Sequence, residues 1–179
     1  MKKLRLIVVN LFVLIILLGI LELIVRVFFP FYFADTTEIY QYEESTGYTL
    51  KPNINLKKSS DYFQEYITND IGTVNFNEAK TNSENMIFTV GDSYTFGSGN
   101  SPDESYPFYL DLCLNEDSAG FYQNKFQVIN LGVGGFGGKQ NLLRLKSYIS
   151  AIGKPKYVLY LGHENDYSDE KLFDSGYRH

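Results

Sequence analysis

Three short apolar runs in the second half of the chain limit its fold more than any other feature. The runs at 86–90, 126–131 and 157–161 are rich in β-branched or aromatic residues and have polar or glycine borders, so they predict buried strands. The segments between them predict helices at 106–115 and 139–152. This alternation predicts an α/β fold in three layers, α/β/α, with a parallel sheet and right-handed crossovers.

Each predicted helix has an apolar side and a recognisable start or end. Pro107 is tolerated only in the first turn of the first helix, and Gly153 followed by Pro155 ends the second. In the first helix we expect the buried side chains to be Phe108, Tyr109 and Leu112. In the second, apolar residues three and four positions apart predict a buried stripe, made of Leu142, Leu145, Ile149 and Ile152 and widened by Leu143 and Tyr148.

The N-terminal residues 4–29 form a nearly unbroken apolar stretch. As a helix, this stretch is long enough to cross the hydrocarbon core of a bilayer, which is about 30 Å thick. Lys2, Lys3 and Arg5 precede it, and the positive-inside rule therefore predicts a single-pass membrane protein with a cytoplasmic N-terminus and an extracytoplasmic main domain. A cleaved signal peptide is disfavoured because no small-x-small cleavage site follows, and a buried core helix is a further alternative.

Composition divides the chain into a cytoplasmic tip and membrane anchor at 1–29, a middle part at 30–85 and a main domain at 86–179. The middle part is rich in Tyr, Asn, Thr and Lys and lacks helical periodicity. We interpret it as an extracytoplasmic stalk that becomes an extended ribbon packed on the main domain, with extended pieces at 48–50 and 62–68.

Charge and cysteine content exclude several kinds of protein. The net charge is −5 and the isoelectric point is about 5.0, so a nucleic-acid partner is not expected. The single cysteine, Cys113, excludes an intrachain disulfide and a cysteine-rich metal site. Glu164, Asp166 and Asp169 could meet a cation, but an acidic loop of this kind is more often solvated, so we expect no metal site.

The loops at the carboxyl ends of the three strands should carry the function, as in other parallel sheets. They lie at 91–97, 132–138 and 162–169. The first holds Ser93 at a sharp strand-to-helix turn, the second is rich in glycine and the third contains Asn165. A serine nucleophile needs preorganised donors for the oxyanion, which glycine N–H groups and an asparagine amide can supply. On these residues alone, a Gly-Asp-Ser turn that only reverses the chain is an equal alternative.

Three sequence blocks lie in or beside these loops: GDS at 91–93, NLGVGG at 130–135 and GHEND at 162–166. Together they resemble the motif blocks of the SGNH (GDSL-type) hydrolase superfamily. Each block alone is short and weakly specific, but their order and their positions after three predicted strands strengthen the resemblance. It covers residues 86–169 and implies the flavodoxin-like parallel sheet of that superfamily.

The resemblance also implies roles for individual residues. Ser93 would be the nucleophile and an oxyanion donor through its own N–H, Gly135 would donate its N–H, and Asn165 would donate its side-chain amide. With the N-terminal anchor and the stalk, the chain is similar to envelope-facing members, which are esterases acting on acylated glycans or O-acetyltransferases modifying them. The expected substrate is therefore an acylated carbohydrate or a similar ester, and the resemblance implies no cofactor.

One element of the superfamily is missing from the chain. This is an Asp-x-x-His pair, in which the histidine is the general base; Asp174 and His179 have the wrong spacing, and His163 is a loop histidine near Asn165. We therefore interpret the chain as the N-terminal part of such a protein, truncated after the third strand and inactive or nearly so. The open edge of its sheet would invite association with a chain carrying the missing C-terminal half.

Two other functions fit part of the sequence. Residues 132–137 match G-x-G-x-x-G between a strand and a helix, as in a dinucleotide site. That match lies in the second strand–helix unit, and no acidic residue ends the following strand, which disfavours this function. A non-catalytic, membrane-tethered glycan-binding module is the other alternative, because the general base is missing and 15 tyrosines and 14 phenylalanines offer rings that could stack on sugars.

Overall fold

The computed structural model describes residues 2–28, 38–59, 63–75, 85–116 and 126–176. The chain forms two compact units, Met1–Ala34 and Asp35–His179. His179 and parts of the predicted ribbon lie outside the described residues.

In the first unit, the described residues form the helix α1 at Lys2–Phe28. Its large apolar side chains between positions 4 and 25 are exposed rather than packed against the protein. The segment Lys3–Val25 is long and apolar enough to cross a membrane. This confirms the predicted apolar helix, whereas its orientation across a membrane stays a prediction.

The second unit is built around three parallel strands. These are β5 at Met86–Gly91, β6 at Gln127–Asn130 and β7 at Tyr157–Leu161, in the order β6-β5-β7. Every residue of the central strand β5 is buried, as expected for a strand with neighbours on both sides. The parallel pairing confirms the α/β class, and all three strand-end loops meet at one edge of the sheet. The three-layer, flavodoxin-like arrangement stays a prediction.

Two antiparallel hairpins precede the sheet. Strand β1 at Tyr40–Glu43 pairs with β2 at Gly47–Leu50, and β3 at Asn55–Ser59 pairs with β4 at Phe63–Ile67. One hydrophobic cluster joins residues of this region to the loops after β5 and β6. Its buried members are Ile39, Tyr48, Leu50, Ile54, Val74, Phe96, Val133 and Phe136. The hairpins therefore help to position the two loops that carry the first two motif blocks.

The described residues of this unit also form five short or medium helical segments. After β5 come α2 at Ser93–Phe96, a 3₁₀ turn at Pro102–Glu104 and α3 at Tyr106–Asn115. Helix α4 at Gly138–Ile152 connects β6 to β7, and α5 at Asp166–Asp174 follows β7. The sequence predicted α3 and α4 to within one residue at each end.

The face of α3 differs from the prediction. Tyr109 and Leu112 were expected inside, but they are 55% and 39% exposed, and Phe108 is only half-buried. The reason is that α3 meets β6 through polar side chains. Asp111 Oδ1 accepts a hydrogen bond from the N–H of Val128 at 2.9 Å.

A second polar side chain of α3 continues this contact. Asn115 accepts from the N–H of Phe126 and donates to its carbonyl, both at 2.9 Å. Side chains of α3 thereby bond to backbone groups of Phe126 and Val128, and Asn75 bonds to those of Val128 and Asn130. Such bonds on the free side of β6 are one of the ways proteins protect a sheet edge.

The buried stripe predicted for α4 is only partly present. Ile152 is buried, and Leu145, Tyr148 and Ile149 pack against the core, but Leu142 is 49% exposed. The buried face also includes the polar residues Gln140, Asn141 and Arg144. The burial of Arg144 explains why this face of α4 is partly polar. Its guanidinium donates to the carbonyls of Leu131 and Gly72 and to the hydroxyl of Thr49, and so links three segments that pack on this face.

Candidate active site

Ser93 lies where the central strand β5 turns into α2. The preceding residue, Asp92, is fully buried, and its Oδ1 accepts a hydrogen bond from the N–H of Tyr94 at 3.0 Å. A β-carbon on Gly91 would lie 2.2 Å from Thr95 Oγ1 and 2.7 Å from the carbonyl oxygen of Leu161, so the turn requires glycine there. The Ser93 side chain is partly exposed, and its hydroxyl makes no hydrogen bond to any described residue.

The second loop is tied directly to this turn. The side chain of Asn130 donates to the carbonyl of Thr95 and accepts from the N–H of Gly132, both at 2.9 Å. A β-carbon on Gly132 would lie 2.3 Å from the backbone nitrogen of Phe96, which shows how closely the two backbones approach. Two residues later the loop passes beside the serine, since a β-carbon on Gly134 would lie 4.0 Å from the Cβ of Ser93.

Tyr48, in strand β2 of the first hairpin, holds the peptide between Gly134 and Gly135. The hydroxyl of Tyr48 donates to the carbonyl oxygen of Gly134 at 2.8 Å. In a trans peptide the C=O and N–H point in opposite directions, so the N–H of Gly135 points away from Tyr48. Gly135 has a φ of 76°, in the region that favours glycine. Burial raises the pKa of Tyr48 well above its usual range, which keeps its hydroxyl protonated as a donor.

The third loop contributes Asn165 next to the nucleophile turn. Its Nδ2 donates to Asp92 Oδ2 at 3.1 Å and to Asp169 Oδ2 at 2.8 Å. Its Oδ1 contacts Nδ1 of His163. The Asn165 amide therefore lies beside Asp92, the residue before Ser93, and its N–H groups donate to two carboxylates. An oxyanion would have to replace one of these acceptors.

Asp166 fixes the start of this loop. Its Oδ2 accepts from the Tyr160 hydroxyl at 2.6 Å and from the N–H of His163 at 3.2 Å. The bond to Asp166 raises the pKa of Tyr160 to about 12, with burial as the second cause. Asp166 and Asp169, considered above as cation ligands, are thus engaged in hydrogen bonds. The part of the chain that the structure describes contains no group of three or more His, Cys, Asp or Glu side chains placed to hold a metal ion.

His163 is the one histidine among the described residues. Its ring stacks on that of Tyr94, with centroids 4.5 Å apart and an angle of 28° between the planes. The described residues show no hydrogen bond between His163 and the Ser93 hydroxyl. The structure therefore brings a histidine near the nucleophile turn without pairing it with the serine.

The structure brings together the loops that carry the three predicted site residues, Ser93, Gly135 and Asn165. Their catalytic roles stay predictions. Gly134, next to Gly135, lies beside Ser93, and Asn165 is bonded to Asp92. Sequence reasoning missed the part played by Tyr48. No local signal could have found it, because Tyr48 and its acceptor are 86 residues apart in the chain.

The glycine run at 132–137 packs against the protein's own backbone. Val133 and Phe136 are fully buried, and a β-carbon on Gly137 would lie 2.6 Å from the backbone nitrogen of Glu170. Helix α5 therefore covers the start of α4, where a pyrophosphate would bind in a dinucleotide site. This packing accounts for Gly132 and Gly137 without a nucleotide.

No protein-family model and no curated protein matches the chain. Among solved structures, it is similar to AlinE4, described as an SGNH-hydrolase family esterase, with 24% identity and a TM-score of 0.38. The match covers 54% of this chain and 57% of the AlinE4 chain. Two point mutants of AlinE4 match over the same shares with the same TM-score, at 24% and 23% identity. The chain thus corresponds to little more than half the length of these esterases.

Proposed function

We propose that this chain carries the acyl-binding half of a serine-dependent ester site of the SGNH type. The proposed reaction is acyl transfer from an ester to water or to a sugar hydroxyl. The observation that carries this proposal is the convergence of three strand-end loops on Ser93. A glycine peptide lies beside the serine, and the Asn165 amide is 3.1 Å from the carboxylate of Asp92, the residue before it.

The proposed chemistry follows from the positions of these groups. Ser93 Oγ attacks the ester carbonyl while a base takes its proton. The C–O bond of the ester then breaks, and the base returns the proton to the departing oxygen, which leaves as the alcohol. The carbonyl oxygen becomes negative and is stabilised by the N–H groups of Ser93 and Gly135 and by the Asn165 amide. Water or a second hydroxyl then takes the acyl group from the serine.

The described residues of the proposed site show no proton acceptor paired with Ser93. A serine hydroxyl is a poor nucleophile at neutral pH without a positioned base. Neither an Asp-x-x-His element nor a histidine hydrogen-bonded to Ser93 supports activation within the described residues. We therefore propose that Ser93 in these 179 residues reacts slowly and that rapid turnover needs a base that the described residues do not supply. The test is the rate at which a fluorophosphonate modifies Ser93, which should be slow because no base is hydrogen-bonded to its hydroxyl within the described residues.

The proposed substrate is an acylated envelope glycan, which requires the main domain to lie outside the cytoplasm. The apolar helix and the preceding Lys2, Lys3 and Arg5 support this orientation. Protease added to intact spheroplasts should then digest the domain at 86–169. Digestion only after lysis would contradict the orientation, and release of the protein by alkaline carbonate would contradict the membrane anchor.

Replacing Tyr48 by phenylalanine should slow fluorophosphonate labelling of Ser93 up to about tenfold, because the Gly134–Gly135 peptide loses the bond that orients it. The phenyl ring keeps the edge-to-face contacts with Tyr40 and Phe136. Labelling kinetics measured by intact mass would give the rate, and thermal unfolding would give the stability.

The matched control is Tyr148→Phe. The Tyr148 hydroxyl also donates to a backbone carbonyl, that of Ile71 at 2.6 Å, but outside the three strand-end loops. Both variants should lose similar stability, and only Tyr48→Phe should lose labelling rate. Equal labelling rates in the two variants would show that Tyr48 serves packing alone.

A glycan-binding module without catalysis is the second candidate. The observation favouring it is that the Asn165 amide already donates to Asp92 and Asp169, which leaves it bound before any substrate arrives. The exposed rings of Tyr94 and Tyr167 could stack on sugars. Glycan binding that persists while the fluorophosphonate leaves Ser93 unmodified would favour this candidate.

A further inference from the structure

Asp169, in the first turn of α5, accepts a hydrogen bond from an amide that the proposed reaction needs. The Asn165 amide nitrogen donates to Asp169 Oδ2 at 2.8 Å and to Asp92 Oδ2 at 3.1 Å. An amide nitrogen carries two hydrogens, so both are in use. In the proposed function this amide donates to the oxyanion, and one of the two carboxylates must therefore release it first.

His163 fixes which end of the Asn165 amide faces the carboxylates. Its Nδ1 contacts Asn165 Oδ1. A neutral imidazole can donate at Nδ1, whereas an ionised carboxylate can only accept. Turning the amide over would place its oxygen against two carboxylate oxygens with no hydrogen between them. The amide nitrogen therefore stays on the side of Asp92 and Asp169.

The two carboxylates differ in how easily they can release the amide. Asp92 is fully buried, and its Oδ1 also accepts from the N–H of Tyr94, so this carboxylate is part of the nucleophile turn. Asp169 is partly exposed, so water can solvate its carboxylate once the amide has gone. Ionised carboxylates within hydrogen-bond reach of one nitrogen also repel each other. Asp169 is therefore the acceptor that an oxyanion would replace.

Release of the amide by Asp169 requires no change in the backbone of α5. The N–H groups of Ser168 and Asp169 donate to the carbonyl of Asn165 at 2.9 and 3.0 Å, and neither bond involves the Asp169 side chain. Rotation about the side-chain bonds of Asp169 to another staggered conformation withdraws the carboxylate. The contact can therefore open while the loop and the helix stay folded.

We propose that Asp169 is an internal competitor of the oxyanion and that its contact with Asn165 is autoinhibitory. This inference rests on the proposed function, because it concerns the same amide. In the resting site Asp169 holds the Asn165 amide. A bound ester displaces the carboxylate, and the amide then donates to the ester carbonyl oxygen. Asp169 is thus a positioning residue, whose side chain sets how readily the amide reaches the reacting group.

Removal of the competitor should speed the reaction of Ser93 with a fluorophosphonate, whose phosphoryl oxygen takes the place of the oxyanion. In the full chain, Asp169→Ala should be labelled about tenfold faster than the unaltered protein, because the amide no longer has to leave a charged acceptor. Asp169→Asn keeps the shape of the side chain and should give a smaller gain, since a neutral amide oxygen is a weaker acceptor than a carboxylate.

Glu164→Ala is the matched control for the loss of charge. Glu164 precedes Asn165, is exposed, and makes no hydrogen bond or ion pair with a described residue. Its exchange removes the same charge from the same loop, and the labelling rate should change little.

The Asn165→Ala background separates release of the amide from every other effect. There, Asp169→Ala should give no gain in labelling rate, since no amide remains to be released. An undiminished gain in that background would overturn the proposal. So would equal rates for Asp169→Ala and the unaltered protein, and in both cases labelling at Ser93 would still support the proposed function. Absence of Ser93 labelling in every variant would overturn both the proposed function and this inference.

Discussion

A fluorophosphonate should modify the full chain once, at Ser93, and the Ser93→Ala variant should carry no adduct. The expected change is from one adduct per chain to none, because the probe bonds to the serine oxygen and the variant has no such atom. The reaction should be slow, since no base is hydrogen-bonded to this hydroxyl within the described residues. Turnover of an activated acetyl ester should lie orders of magnitude below that of a complete triad. Intact mass and peptide mapping would locate the adduct.

The control for this experiment is Ser98→Ala. Ser98 is exposed and lies five residues after Ser93, but its side chain has no part in the proposed site. Its exchange should leave the labelling unchanged. An adduct that persists in Ser93→Ala would contradict the assignment of the nucleophile. Rapid ester turnover by the full chain would contradict the view that its base is missing.

Exchange of Gly132 for alanine should destabilise the main domain by roughly 3 kcal/mol or more. The new β-carbon would lie 2.3 Å from the backbone nitrogen of Phe96 and 2.6 Å from the carbonyl carbon of Thr95. Backbone atoms cannot swing aside as a side chain can, and Asn130 ties the two segments together. For a unit of this size the loss corresponds to a fall of roughly 10 °C in the melting temperature, measured by circular dichroism.

Gly134→Ala is the matched control two residues further on. A β-carbon there would have its nearest contacts at 3.5 Å, to the Tyr40 hydroxyl, and at 4.0 Å, to the Cβ of Ser93. These are ordinary van der Waals distances, so the melting temperature should change little. Similar melting temperatures for the two variants would mean that the loop after β6 does not approach α2 as closely as described.

The elements that the sequence predicted well are those whose signals are local. Strand β7 matches its predicted bounds because an apolar run ends abruptly at Gly162. Helix α3 matches because Pro107 marks its first turn. The parallel direction of the three strands followed from the alternation of strand and helix, since parallel strands need crossover connections.

The faces of the helices were less predictable because their partners are distant in the chain. Arg144 is buried since it meets the carbonyl of Gly72 and the hydroxyl of Thr49, which are 72 and 95 positions away. An apolar pattern could not reveal that these acceptors would converge on α4. Leu142 was expected to be buried because of its spacing along the apolar stripe, but it is exposed.

In the candidate site, too, the local signals were predictable from the sequence and the contacts between distant residues were not. The motif blocks identified Ser93, Gly135 and Asn165 because each follows a strand in the expected order. The bonds that join them do not appear in any local pattern. The amide of Asn165 is shared between Asp92 and Asp169, and the peptide of Gly135 is held by Tyr48 from a hairpin far upstream.

The hydrogen bonds at the free side of β6 close that side of the sheet to strand addition. Asp111 occupies the N–H of Val128, and Asn75 occupies the carbonyl of Val128 and the N–H of Asn130. An extended segment of another protein would have to break these side-chain bonds before it could pair with β6. Aggregation through this side of the sheet is therefore opposed by hydrogen bonds that already exist in the folded chain.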